Sequence, residues 1–307
     1  MTFMRFLSLA LASLFAFAGL AAAADAPKRL LLVTHSAGFV HDSVAHAEKV
    51  LKEIGPTAGL QVTCFRFTGD PDAKIKVKKK DGDKTVEMET TALADYSEKF
   101  RKSTGQAVER EHCGRINATT LKNFDVVLFF TTGNPLTKDE FADLLTWVQA
   151  GGAYAGTHCA SDTLYGITAY GELVGAYFDG HPWHQKIKLK VEDAKHPGAA
   201  GFTDGAEITD EIYQFRDSPY SRQKLHIILS VNNDSIDTKK NGVKRKDLDF
   251  AVAWCQEVGK GKSFYTSLGH RKEVWNDKRF QEHLLGGIKW TLGQVPGDAT
   301  PSAKLTK

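Results

Sequence analysis

One stretch, residues 124–158, constrains the fold more tightly than any other. Residues 124–130 read Phe-Asp-Val-Val-Leu-Phe-Phe, apolar on both faces, the pattern of a strand covered from both sides in a parallel sheet. Thr137-Lys138-Asp139-Glu140 follows as a capping box, in which the threonine side chain and the glutamate satisfy free N–H groups at a helix start. That helix runs to about Gln149, Gly151-Gly152 ends it, and residues 153–156 form another strand leading straight into His158. Strand, helix and strand in this order are the repeating unit of a doubly wound parallel α/β sheet.

The same alternation opens the chain. Residues 30–34 are a short apolar strand, and residues 42–53 carry Val44, Ala47, Val50 and Leu51 at helical spacing until Gly55-Pro56 stops them. Residues 60–67 read as a second strand. A charged insertion spans about 70–115, with a hairpin at 74–88 around Asp81-Gly82 and partial helix after residue 90. Beyond Asp179 the strands at 185–192 and 225–231 alternate, and 250–257 with 262–267 form a hairpin around Gly259-Lys260-Gly261. The C-terminal half therefore adds antiparallel strands. Residues 280–292 close the domain as an amphipathic helix, and the polar tail, 294–307, is expected to fray.

Residues 1–24 read as a cleavable secretory leader: Arg5, an apolar run, and Ala22 and Ala24 in an Ala-x-Ala site. The run is too short for a membrane span, and no other segment is long enough, so the expectation is one exported domain over 25–293, cleaved from its leader, without membrane insertion and in a periplasm. A net charge of +3 gives no basic face for nucleic acid, and the lysines of 74–84 read as a solvated hairpin. Four cysteines without a CxxC pair exclude a zinc ribbon and leave three full disulfide pairings open.

Five of the eleven histidines lie in glycine-bearing or aromatic-bearing motifs near strand ends, where open α/β sheets bind ligands. Gly156-Thr157-His158-Cys159-Ala160 has the form of a nucleophile elbow with His158 at its apex. His158 can act there as base or ligand, or tie the turn to neighbouring carbonyls. Cys159, one place later, reads as a small buried residue. Gly38-Phe39-Val40-His41-Asp42-Ser43 joins the first strand to the first helix; Asp42 or Ser43 can cap that helix, and His41 is left for chemistry. His35 is a weaker candidate. Gly180-His181-Pro182-Trp183-His184 pairs two imidazoles with an indole, and Tyr177, Trp183 and Trp275 offer rings for stacking on a sugar, with Asp162 as a polar contact. Asp210-Glu211-Ile212-Tyr213 supplies carboxylates after a polar loop, with Glu211 as the catalytic partner. Gly269-His270 ends the late hairpin. His196-Pro197 reads as a surface turn, and His112, His226 and His283 as structural or exposed.

In their order and spacing these motifs resemble the trehalose-utilisation (ThuA-like) family, together with Ala253-Trp254, Gly259-Lys260-Gly261 and Thr266-Ser267-Leu268-Gly269-His270, over about residues 30–293. The resemblance implies a flavodoxin-like, class I glutamine-amidotransferase-like α/β fold. It does not imply amidotransferase chemistry, because those enzymes carry cysteine where His158 stands. It implies carbohydrate metabolism without a defined reaction class.

The leading expectation is a carbohydrate-active enzyme with histidine acid/base chemistry on a sugar or keto-sugar, assisted by a divalent metal such as zinc. His41, His158 and Glu211 are the catalytic candidates, and His41, His158, His181 and His270 the candidate ligands. No nucleotide cofactor is expected. Lyase, isomerase and hydrolase outcomes all use such a site. The alternatives are a non-catalytic sugar-binding protein and a cysteine hydrolase through Cys159, which the elbow register disfavours.

Overall fold

The computed structural model describes residues 26–82 and 84–305. The expected leader lies outside them. Strands β1 (Lys28–Val33) and β2 (Leu60–Phe65) flank helix α1 (Val44–Ile54). The hairpin β3 (Lys74–Asp81) and β4 (Lys84–Thr91) stands apart as its own two-stranded sheet, followed by α2 (Ala92–Thr104) and the short α3 (Ala118–Leu121). Then come β5 (Val126–Phe129), α4 (Lys138–Gln149), β6 (Ala153–Thr157) and α5 (Thr168–Val174). The C-terminal half holds β7 (Trp183–Val191), β8 (Glu207–Ile212), β9 (His226–Val231), β10 (Ala251–Val258), β11 (Gly261–Thr266), α6 (Lys272–Asn276) and α7 (Lys278–Thr291).

Nine strands form one sheet in the order β2-β1-β5-β6-β11-β10-β9-β7-β8. The first five are parallel, and every pairing from β11 outward is antiparallel. Period-2 alternation sends Leu30 and Leu32 into one core and Leu31 and Val33 into the other. Helices α1, α2 and α7 cover the first face, with Val50, Phe100 and Leu284, while α4 and α5 cover the second, with Leu144 and Leu173. Helix α4 starts at the expected capping box, Thr137 and Glu140 each bonding the other's backbone N–H. Among the described residues no helix is long and apolar enough to cross a membrane.

Topology gathers the ends that matter. Strand β1 is flanked by β2 on one side and β5 on the other, so strand order reverses there and a crevice opens at their carboxyl ends. From β11 to β8 the direction alternates four times, which returns β8 to the direction of the parallel block. The ends of β1, β6, β11 and β8 and the start of β7 therefore share one edge.

Several expectations are corrected. Residues 207–212, for which the sequence reading gave no element, are a strand; Asp210 stands at an inward position where alternation calls for an apolar residue. The tail does not fray up to residue 305: Ser302 N–H donates to the Leu225 carbonyl, and Ser302 Oγ accepts from Ile227 N–H. Neither Asp42 nor Ser43 caps α1; Asp42 pairs with Lys272 at 2.7 Å, and Ser43 Oγ faces the Gly269 carbonyl at 3.5 Å. His196 is buried, with Nδ1 accepting from Gly198 N–H and Nε2 3.4 Å from Cys255 Sγ. All four cysteines are free thiols.

Candidate functional site

Residue 158 stands where β6 breaks into a single 3-10 turn, and its φ of 44° lies in the left-handed region that side chains other than glycine rarely adopt. The turn is tight at Gly156, where a Cβ would sit 3.0 Å from Ala160 Cβ and 3.1 Å from the Tyr265 ring and would push these neighbours back. The elbow thus lifts His158 above the sheet edge. Its Nδ1 donates to the Ser267 carbonyl at 2.9 Å, which fixes the tautomer and leaves the Nε2 lone pair facing outward. The two readings open at the sequence level hold together: His158 ties the turn to a carbonyl through Nδ1 and turns Nε2, which accepts from the Tyr213 hydroxyl, toward the other candidate ligands.

Three further groups converge on that nitrogen. His41 arrives from the β1–α1 loop at the reversal point, His270 from the end of β11, and Glu211 from β8. One ligand atom from each of His41, His158, His270 and Glu211 lies within 4.8 Å of the others. The three imidazoles meet edge to face, with centroids 5.0, 5.4 and 5.2 Å apart. Glu211 Oε2 is 3.5 Å from His158 Nε2, and Glu211 Oε1 is 3.7 Å from His270 Nε2.

Electrostatics follow from burial. Burial and the adjoining His158 and His270 rings push the His41 imidazole down to about 3. Burial, then His158, takes His270 down to about 4. Both are neutral at pH 7. Burial raises the Glu211 carboxyl, but the pull of the His158, His270 and His181 rings in their protonated forms outweighs it and lowers it to about 2. The result is one carboxylate among imidazole lone pairs.

That donor set fits a divalent cation. A tetrahedral zinc ion with bonds of about 2.0–2.2 Å needs ligand atoms roughly 3.4 Å apart, so a small closure of these side chains completes the shell. His41 and His270 each also keep a buried Nδ1 without a hydrogen-bond partner, unusual for buried polar atoms. His181 stands outside the four. It is half-exposed, stacked on Phe178 at 5.8 Å, with Nδ1 3.4 Å from Glu211 Oε1. His184 is exposed, its ring 5.0 Å from His270, beside a cleft of about 330 Å³ lined by Asp42, His184, His270, Arg271, Lys272 and Glu273.

Two neighbours of Glu211 in the same motif, Tyr213 and Asp210, complete the frame. Tyr213 donates its hydroxyl to His158 Nε2 at 2.9 Å, and burial pushes that phenol well up, so it stays a neutral donor. Period-2 alternation from Glu211 was the available signal for it. Asp210 is fully buried and accepts from the N–H groups of Gly269 and Arg271 at 2.7 and 3.1 Å, bracketing His270. Asp162 is partly buried and accepts from the Tyr165 hydroxyl at 2.7 Å; burial pushes its carboxyl up, while the charge of His158 opposes that.

The three expected stacking rings are corrected to core and support roles, because none has a free face. Trp183 is wholly buried, packs edge-on to Phe250 at 4.9 Å and donates to the Asp237 carbonyl. Tyr177 is buried with its hydroxyl donating to the Ile167 carbonyl at 2.6 Å. Trp275 is buried on Phe130 and donates to the Gly269 carbonyl at 2.8 Å, holding the turn that carries His270. Cys159 is wholly buried within the core on the α1 face, where burial pushes its thiol well up. His35 is likewise structural, its Nδ1 2.7 Å from Thr68 Oγ1.

Among solved structures the chain is similar to a ThuA-like protein from Bacteroides uniformis, at 19% identity and a TM-score of 0.57, over 93% of this chain and 99% of that one. It is also similar to a ThuA-like protein from Parabacteroides merdae, at 17% identity and 0.55, over 90% and 95%. At such identities the likeness concerns the fold, which is flavodoxin-like. No curated protein matches the chain. The family described as trehalose utilisation, ThuA, matches residues 29–291, nearly everything the structure describes, and the chain belongs to that family.

Proposed function

We propose that the chain is a carbohydrate-acting enzyme whose reaction centre is a divalent-cation site made by His41, His158, His270 and Glu211. The convergence of three imidazoles and one carboxylate within 4.8 Å carries this reading. Family membership supports a carbohydrate-related role. A bound cation such as zinc would supply Lewis acidity toward a sugar carbonyl or hydroxyl oxygen.

The chain's own residues do the rest. The buried Ser267 carbonyl and the Tyr213 hydroxyl keep His158 in one tautomer and one orientation. Asp210 and Trp275 hold the His270 turn from two sides. His181, half-exposed and 3.4 Å from Glu211, would take the proton from the substrate carbon beside the keto group and return it to the neighbouring carbon in isomerisation or to the leaving oxygen in elimination. On a keto-sugar, whose α-hydrogens are acidic, this proton transfer serves elimination, isomerisation or glycoside cleavage. We also propose export, with residues 1–24 as the leader.

Thermal melts of the purified protein with and without zinc or manganese test the centre. A cation at ~100 times its dissociation constant adds about 2.7 kcal/mol of stability if it binds only the folded state. The His158→Ala, His270→Ala double variant loses that shift, and His158→Ala lowers turnover of a 3-keto-glucoside by about 10²- to 10⁴-fold. No shift with any divalent cation, with sugar binding retained, favours a non-catalytic sugar-binding protein instead.

A further inference from the structure

With Trp183, Tyr177 and Trp275 buried and Phe178 partly buried against His181 and Tyr213, Phe39 is the aromatic ring most open to solvent beside the centre among the described residues. Phe39 is 68% exposed, the highest value among the large hydrophobic residues described. Its ring meets His41 edge to face at 4.9 Å. An exposed phenylalanine on a slack loop would say little, but this loop is pinned. Gly38 N–H donates to Thr132 Oγ1 at 3.2 Å, and Thr132 Oγ1 donates to the Phe39 carbonyl at 2.8 Å. Ser36 bridges to Thr132 in parallel fashion. Gly133 has a φ of 67°, and a Cβ there would lie 2.6 Å from Gly38 N, so the two glycines let the backbones meet directly. The backbone around Phe39 is fixed from the β5 side while its ring stays wet.

From this juxtaposition we infer that Phe39 is the stacking platform of the site, taking the C–H face of a pyranose ring and holding it against His41. This rests on the carbohydrate reading above. A rigid aromatic face loses little entropy on binding, and its apolar surface matches the patch of axial hydrogens on a sugar ring. The polar edge of that ring then meets His181, His184 and Arg271, the exposed or half-exposed donors that border the centre. Phe39 supplies no ligand atom, and His41 also packs on His158, His270 and Phe130, so Phe39 sets affinity and specificity while the centre keeps its four ligands.

Titration of the purified protein with trehalose and with methyl α-D-glucopyranoside, followed by saturation-transfer NMR, tests this on wild type, Phe39→Ala and Phe39→Tyr. Phe39→Ala weakens sugar binding by about 10-fold or more, and Phe39→Tyr stays within about threefold of wild type. The zinc-induced melting shift, read on the same samples, is unchanged in both variants. Equal sugar affinity in wild type and Phe39→Ala overturns the platform, as does binding of neither probe by wild type. Either result with the zinc shift intact leaves the cation centre standing. A missing zinc shift with a Phe39-dependent sugar affinity removes the centre and supports the platform alone.

Discussion

Two groups of buried histidines in this molecule look alike in composition and differ in one respect. In the pair His196 and His226, packed 5.7 Å apart behind β9, each ring nitrogen already has a protein partner. His196 uses Gly198 N–H and Cys255, and His226 uses the Thr300 carbonyl and Asp193. At the sheet edge His41, His158 and His270 point nitrogen atoms at one another and at a carboxylate, and two of their Nδ1 atoms have no partner. The first group is spent on holding the tail and the 197–199 turn; the second is poised for something from outside. An unpartnered nitrogen alone does not make a site. His283 Nε2 also lacks a partner, but it sits among Phe202, Phe264 and Phe280, with no second ligand converging on it.

Substitution breaks the comparison most strongly in the structural pair. His226→Ala strands the Asp193 carboxylate and the Thr300 carbonyl and opens a cavity, costing about 3 kcal/mol of stability. Urea unfolding measures that loss, while zinc uptake by the folded variant stays at the wild-type level. Uptake lost together with stability would merge the two groups into one.

Acid loads both groups rather than separating them, since burial also lowers His41 and His270 at the edge. Burial first, and for His196 its His226 neighbour, lowers His196 and His283 to about 4, and burial lowers His35 similarly. Each folded-state value lies below the unfolded value near 6.5, so the unfolded chain binds more protons between the two. Their stabilising contribution is whole above pH 6.5 and falls away as the pH drops toward 4, by roughly 1 kcal/mol for each histidine at pH 5.5. Urea midpoints of metal-free protein between pH 7.5 and pH 5 follow this trend; a flat profile refutes it.

The smallest effect belongs to Cys159. Though next to His158 in sequence, its thiol is no part of the ligand cluster and is buried in the core, so Cys159→Ala costs about 1 kcal/mol of stability and keeps turnover within about threefold of wild type. Inactivation by iodoacetamide at this thiol would return the cysteine-hydrolase reading.

Much of this was legible in the sequence because the signals were local. A strand apolar on both faces, a capping box and a glycine-flanked elbow each announce themselves within a few residues, and they place His158, His41 and His270 at strand ends without tertiary knowledge. Glu211 was visible as a carboxylate but not as a strand residue. Its strand was hidden by Asp210, a buried charge stabilised by distant backbone N–H groups of Gly269 and Arg271. Tyr213, just past that strand, was named in the motif but given no role, because its facing follows only from the strand's parity. Trp183 misled for a related reason: beside Pro182 it reads as a loop ring, yet β7 begins at Trp183, and its alternation turns Trp183, Ile187 and Leu189 inward and His184 outward. Parity within a strand decides which neighbour faces solvent, and it becomes known only once the strand start is known.

The central claim is that the edge group, and not the buried pair, takes a divalent cation. Anomalous diffraction at the zinc edge, from crystals of the protein grown with zinc, tests it directly. The account predicts one strong peak among His41, His158, His270 and Glu211, within about 2.0–2.2 Å of each ligand atom. A zinc-soaked crystal with no peak there, or with its peak at His196 and His226, would contradict it.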